Sequence, residues 1–194
     1  MKYLIISSLL LLNCICSLSQ NDTLQNKKNR GGILYGSNYA YGFSTPSGWV
    51  LDTKSGKDSD LDAVFYPAGS NWKDAVTVMY ATATNKSIKG NETIEKVIEY
   101  DIWRYKSNSD NIKITDSDSL ETSDHKWAKV KLFLDYNTGG NFESVAYIDE
   151  AKVVSVLVIT SRTEDDLNNN LPKFKDLVRS YFHVSDTVII GPKK

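Results

Sequence analysis

His125 and His183 are the only imidazoles in this 194-residue chain, and they bound the chemistry it can perform. A zinc site of the usual kind needs three or four His, Cys or carboxylate ligands. Here the two histidines fall in different elements, and the only cysteines, Cys14 and Cys16, lie in an apolar stretch at the N-terminus. His125 reads as a strand-entry residue beside Asp124, and His183 as a residue at the C-terminal end of a helix, where its charge suits the dipole. The acids Asp58, Asp60 and Asp62 alternate as in a calcium loop. Ala63 then stands where the turn glycine belongs, and Gly69 where the bidentate glutamate belongs, so a solvated acidic turn is the better reading. Asp116 and Asp118 match less well still.

Nucleophilic chemistry has no sequence signature here. There is no Gly-x-Ser-x-Gly elbow, and no cysteine pairs with a histidine. A triad is recognised by geometry rather than order, so a serine with His125 or His183 stays open at this point, as does a carboxylate pair for glycoside hydrolysis. Gly31-Gly32, Gly36 and Gly42 form no phosphate-binding pattern. No catalytic, cofactor-binding or metal residue is assigned, and no cofactor is called for. Binding is the remaining class. Tyr35, Tyr39, Tyr41 and Phe43, interleaved with Gly36, Ser37 and Asn38, combine rigid aromatics with small polar residues, as adaptable contact surfaces do. Tyr39 and Tyr41 are the candidate ligand contacts. The competing reading has Tyr41 and Phe43 covering a sheet, because aromatics are ordinary strand formers.

The N-terminus speaks to compartment. Met1-Lys2 gives a positive start, residues 4–12 (LIISSLLLL) an apolar core, and Ser17-Leu18-Ser19 small residues where a signal peptidase reads. The expected cleavage lies between Ser19 and Gln20. The apolar run is too short to span a bilayer, which takes about 20 such residues. An alternative is lipid anchoring through Cys14 or Cys16, although Asn13 and Ile15 are poor residues to precede a lipidated cysteine. With the signal removed the chain holds no cysteine, so its stability must come from its core. Residues 20–32 are polar and read as a flexible leader, residues 33–185 as the folded domain, and 186–194 as a tail. The 23 basic and 24 acidic residues nearly balance, against the basic face of a nucleic-acid binder. No second apolar run reaches membrane length.

Strand signals recur along the domain as β-branched or aromatic runs between turn formers. They cover Tyr41 to Thr45, Trp49-Val50-Leu51, Asp62 to Tyr66, Ala75 to Ala83, Asn111 to Thr115 near an edge, and Ala128 to Asp135. Phe142 to Ile148 and Lys152 to Thr160 follow. Asn137-Thr138-Gly139-Gly140 and Asp149-Glu150-Ala151 are hairpin connections. Residues 153–159 (VVSVLVI) are almost continuously apolar, which predicts a central strand buried on both faces. Helical spacing appears twice. Ile94, Val97, Ile98, Ile102 and Tyr105 share one stripe after an expected N-cap at Asn91. Leu167, Leu171, Phe174, Leu177, Val178, Tyr181 and Phe182 share another after a capping box at Thr163 and Asp166, with Pro172 expected to kink or restart that helix. Hairpin-linked strands with an inserted and a closing helix predict an α+β domain: an antiparallel sheet of about six to seven strands flanked by helices.

The order of elements resembles the PsbP-like superfamily of α-β-α sandwiches. The resemblance rests on Tyr41-Gly42-Phe43-Ser44-Thr45-Pro46-Ser47-Gly48-Trp49, on Asp124-His125-Lys126-Trp127 entering a strand, on the hairpin at Tyr147-Ile148-Asp149, and on Val178-Arg179-Ser180-Tyr181-Phe182. It covers nearly all of residues 33–183. It implies the fold and a role as a binding or accessory factor, as photosystem accessory and bacterial envelope relatives are regarded. It carries over no ligand-binding residue. The expectation is an exported, non-catalytic bacterial binding or accessory module for an envelope or extracellular protein or a small ligand. The rivals are a secreted hydrolase and a lipid-anchored envelope protein.

Overall fold

Period-two alternation needs a partner for each apolar face, and this chain supplies two different partners. In a computed structural model, which describes residues 31–188, seven strands form one sheet. They are β3 (Trp49–Asp52), β4 (Ala63–Pro67), β5 (Thr77–Asn85), β6 (Ile112–Glu121), β7 (Trp127–Asp135), β8 (Phe142–Asp149) and β9 (Val153–Ser161). Their order is β3-β4-β5-β9-β8-β7-β6, and every pairing is antiparallel. The VVSVLVI run is therefore the fourth strand of seven, buried along nearly its whole length. Alternate residues serve opposite faces: Leu157 and Ile159 point to one apolar cluster, Val154, Val156 and Val158 to the other.

Helix α1 (Ile94–Asn108) covers the second face. Its N-cap is Thr93 rather than the expected Asn91: the Thr93 hydroxyl accepts from the Lys96 N–H at 3.3 Å. Helix α2 (Glu164–Arg179) covers the first face, opening with the Thr163–Asp166 cap. Pro172 neither kinks it into two helices nor restarts it. Both Pro172 and Asn168, whose carbonyl loses its usual donor, lie on the exposed side, where that carbonyl is open to solvent. The apolar stripe was expected to run on through Phe182, with His183 at the helix end. Instead α2 stops at Arg179, and Phe182–Ser185 forms a strand, β10.

That strand completes a second sheet, which hydropathy did not foresee. β1 (Gly32–Gly36) and β10 flank β2 (Tyr39–Phe43), both antiparallel to it. β1 opens on a residue read as leader. This small sheet lies beside α2. Leu34, Tyr41 and Phe43 join its core, where the Phe43 and Phe65 rings meet edge-on at 5.3 Å. Gly48 (φ +82) takes the left-handed turn position that returns the chain from β2 to Trp49, whose N–H donates to the Pro46 carbonyl at 3.0 Å. The signal segment, its Ser19–Gln20 cleavage point, Cys14, Cys16, the leader up to residue 30 and the tail from residue 189 lie outside the described residues.

Candidate functional site

The sequence candidates disperse. Tyr41 is buried, its hydroxyl donating to the Thr82 carbonyl at 2.8 Å and its ring 5.0 Å from that of Tyr181. Tyr39 is half-buried and stacks on it at 5.8 Å. His125 sits in the β6–β7 turn rather than in strand entry, with φ +62 and an exposed ring whose Nδ1 lies 2.9 Å from Glu121 Oε1. Asp58 and Ser59 belong to a single 3-10 turn, and Asp60 is left-handed at φ +56.

Only one grouping of acid and imidazole ligands gathers within 4.8 Å among the described residues: Glu150, His183 and Asp186. The β8–β9 turn supplies Glu150, and β10 brings His183 to it. Glu150 is buried and already engaged. Tyr181 Oη donates to its Oε1 at 2.6 Å, and the Lys126 ammonium contacts its Oε2. His183 Nδ1 lies 3.1 Å from that same Oε2 but out of line for a hydrogen bond, while its ring Nε2 is 3.6 Å from Asp186. The His183 N–H donates to Asp124 at 2.8 Å. Burial and the Glu150 charge push the Tyr181 phenol well above its ordinary range, so it holds its proton as a donor. Here, among the described residues, a histidine, a buried acid and hydroxyls meet. Yet Tyr181 and Ser155, whose oxygens are 3.1 Å apart, are wholly enclosed. A hydroxyl closed to solvent cannot attack a substrate, and the cluster acts as a polar clamp holding β10 to the β8–β9 and β6–β7 turns.

The α1 side is different. Beneath the helix, Tyr105 donates to the buried carboxylate of Glu143, and the Tyr105 ring stacks on Phe133 at 4.2 Å. Burial pushes the Glu143 carboxyl upward, against the lowering effect of its bonds from Tyr105 and Thr160. Tyr147 donates to Asp101 at 2.9 Å; Arg104 pairs with Asp101 at 3.1 Å and lies 4.8 Å over the Tyr105 ring. Burial raises the phenols of Tyr80, Tyr105 and Tyr147. Tyr80, Asp101, Arg104 and Tyr105 edge a hollow of about 220 Å³ on the β5–β9 side of α1, with Val156 and Val158 in its lining. A wider one, about 540 Å³, runs along the β6–β7 side past Ile98, Ile102 and Lys129. Helix α1 therefore stands as a ridge between two depressions.

On its crest, Tyr100 and Trp103 remain 54% and 61% exposed, their rings 5.7 Å apart. One turn apart, they present a single aromatic patch beside Arg104. The sequence reading passed over them because it followed the stripe facing the sheet. The available signal was two aromatics at i, i+3 on the side where an amphipathic helix carries polar residues.

No protein-family profile matches the chain, and no curated protein matches it. Solved structures do. The cyanobacterial PsbP (CyanoP) of Synechocystis superposes with a TM-score of 0.52 over 81% of this chain and 93% of its own, at 12% identity. The Ran-binding protein Mog1p of Saccharomyces cerevisiae does so with a TM-score of 0.51 over 81% and 96%, also at 12% identity. Identity this low carries the architecture and no residue roles. Seven antiparallel strands between two helices, closed by a small second sheet, give this chain the PsbP-like fold.

Proposed function

We propose that the chain is an exported, non-catalytic accessory module, a single domain spanning residues 33–185, that binds a partner protein on the α1 ridge. The observation that carries the reading is the exposed Tyr100–Trp103 pair. Trp, Tyr and Arg dominate the energetic centres of protein interfaces, and here all three crown one rigid helix with a depression on either side. A protein partner also accords with the Ran-binding role named for Mog1p, and the enclosed hydroxyls near His183 speak against hydrolysis. Among the described residues no helix is long and apolar enough to cross a membrane. Export rests on residues 1–19, with cleavage between Ser19 and Gln20, or on lipid attachment at Cys14 or Cys16. Mass spectrometry of the N-terminus of the exported chain distinguishes these: a free Gln20 start, a lipid-bearing cysteine, or a retained Met1 that overturns export.

The binding test places a photo-crosslinking amino acid at Trp103 and, as a control, at Asp176 on α2, in the producing cells. The expected result is one defined protein adduct from position 103, absent from position 176 and lost when Tyr100→Ala is added. Adducts that do not depend on position overturn the reading.

A further inference from the structure

The two edges of the seven-stranded sheet are unequal. β3 closes one with four residues; β6 closes the other with ten, and no strand lies beyond it among the described residues. The Tyr136 N–H donates to the Asn111 carbonyl at 3.2 Å, while the Asp135 N–H turns away to Asn141 at 3.1 Å. Antiparallel alternation therefore bonds Lys113 and Thr115 to β7 and sends the N–H and C=O of Ile112, Ile114 and Asp116 outward. Proteins usually blunt such an edge with charges or a bulge. Here the bulge falls between Ser117 and Leu120, past this stretch. Ile112 and Ile114 are half-buried on the α1 side, and alternation puts the Lys113 charge on the opposite face.

Helix α1 runs beside this edge. The hollow of about 540 Å³ separates them, with Ile98 and Ile102 on the helix and Asp116 and Ser117 on the strand. An open row of backbone donors and acceptors beside a groove accepts an extended peptide: the main chain continues the sheet, and alternate side chains enter the groove. Charge selects the peptide. Glu95 and Glu99 of the helix line the hollow with Asp116, and Asp118 follows on the strand. Lys129 and Lys131 answer only Glu95, at 2.6 Å, and Asp116, at 2.5 Å. Glu99 and Asp118 are exposed and have no ion pair among the described residues. The groove is thus acidic where it meets Asp116 and apolar where it meets Ile114 and Ile112. A second copy of β6 would add acids rather than cations, because Asp110, Asp116 and Asp118 outweigh Lys113 in that segment.

We infer that β6 and α1 form a β-augmentation site, in which residues 112–116 pair antiparallel with an extended segment of a partner protein. Basic residues of that segment lie toward Asp116 and Asp118, and its apolar residues lie over Ile114 and Ile112. The inference rests on the reading of α1 as a partner-binding helix, and adds the form and charge of the segment bound.

The test uses residues 20–194, which include every described residue, titrated with the acetylated, amidated peptide Lys-Thr-Lys-Thr-Val-Thr-Val and followed by amide NMR. The expected result is saturable, salt-sensitive hydrogen-exchange protection at the N–H groups of Ile112, Ile114 and Asp116. N-methylation of both peptide valines removes the donors that face β6, and should end that protection. Ile114→Pro should end it too, since it deletes an outward N–H that the β6–β7 ladder does not use. Glu99→Lys with Asp118→Lys should weaken the peptide roughly tenfold, as the loss of two exposed ion pairs implies. The same pair should strengthen a peptide carrying glutamate in place of lysine. Circular dichroism checks the fold of the proline variant, and the lysine pair, at exposed positions, reports if that variant does not fold. No protection at those three amides at millimolar peptide overturns the proposal, as does equal binding of the N-methylated or the glutamate peptide to the wild-type chain. The crosslink at position 103 reads the crest of α1 alone, so a surviving adduct without edge protection overturns this site and leaves the ridge standing.

Discussion

The two faces of the seven-stranded sheet are built to different rules. Under α2, Leu167, Phe174, Leu177 and Val178 are fully enclosed, and the polar groups at the margin, Glu150, Lys126 and Tyr181, satisfy one another. Under α1, Ile94, Val97 and Ile98 seal only the first half of the helix. Its second half rests on Tyr80, Tyr105, Tyr147, Asp101, Arg104 and the buried Glu143. Apolar packing on one face secures the fold. Hydrogen-bonded phenols and carboxylates on the other fix the helix in place while leaving its crest aromatic and open. A helix held by polar bonds rather than by a full apolar stripe is the one that can present tryptophan to solvent without losing its seat.

Substitutions on each side sharpen this contrast. The largest effect is expected on the α2 face: Phe174→Ala should cost about 4 kcal/mol in urea unfolding, from lost transfer energy and the cavity left behind. Glu150→Ala comes next, at about 3 kcal/mol by the same measurement. It removes the charged acceptor of the buried Tyr181 hydroxyl, leaving that hydroxyl to Ser155, and takes the close carboxylate partner from Lys126, as when one partner of a buried pair is removed. On the α1 face, Tyr105→Phe should cost about 1–2 kcal/mol, because Glu143 loses a donor it cannot replace from water.

Glu143→Gln should act in the opposite direction, and with a pH signature. An unfolded glutamate titrates near 4.3, and burial raises Glu143 above its ordinary value in the fold. The folded chain therefore binds the proton more tightly, and its stability contribution is lost as pH rises from about 4 through the raised value. Thermal melts should find the Gln variant more stable than wild type at neutral pH, with the gap closing toward pH 4. A gap that widens toward acid pH would remove the case for a desolvated carboxylate. The smallest effect belongs to Trp103→Ala, within about 0.5 kcal/mol of wild type in the same melts because the side chain touches little. A large loss there would mean that the tryptophan holds the fold together and is not a presented surface.

The sequence carried the layered sheet clearly, and for identifiable reasons. Val153 to Ile159 is apolar but for Ser155, a run that suits a strand buried on both faces, and the turn chemistry at Asn137–Gly140 and Thr163 fixed the neighbouring elements. Of the second sheet only the central strand was read, as Tyr41 to Thr45; its strands are five, five and four residues long, and β10 continues the helical stripe of α2 in hydropathy. Leu177, Tyr181 and Phe182 keep helical spacing up to the point where the chain leaves the helix, so period alone misplaced Phe182 and His183. The α1 site was partly legible. Ile94, Val97 and Ile98 were read correctly as the packed stripe. The Glu143–Tyr105 and Asp101–Tyr147 bonds join residues 38 and 46 positions apart, a proximity no local pattern encodes. The clamp at Glu150 was hidden for the same reason.

The strand β2 lies between partners drawn from the two ends of the chain: Leu34 and His183 meet across Tyr41. Such pairing closes a loop of nearly the full domain, the slowest class of contact to form. A polypeptide made N-terminus first therefore has its long meander available for pairing well before β10 arrives. The exposed residues Ile33, Tyr35, Phe182 and Val184 come together on one sheet only when β10 pairs with β2. Assembly of that surface is tied to completion of the fold.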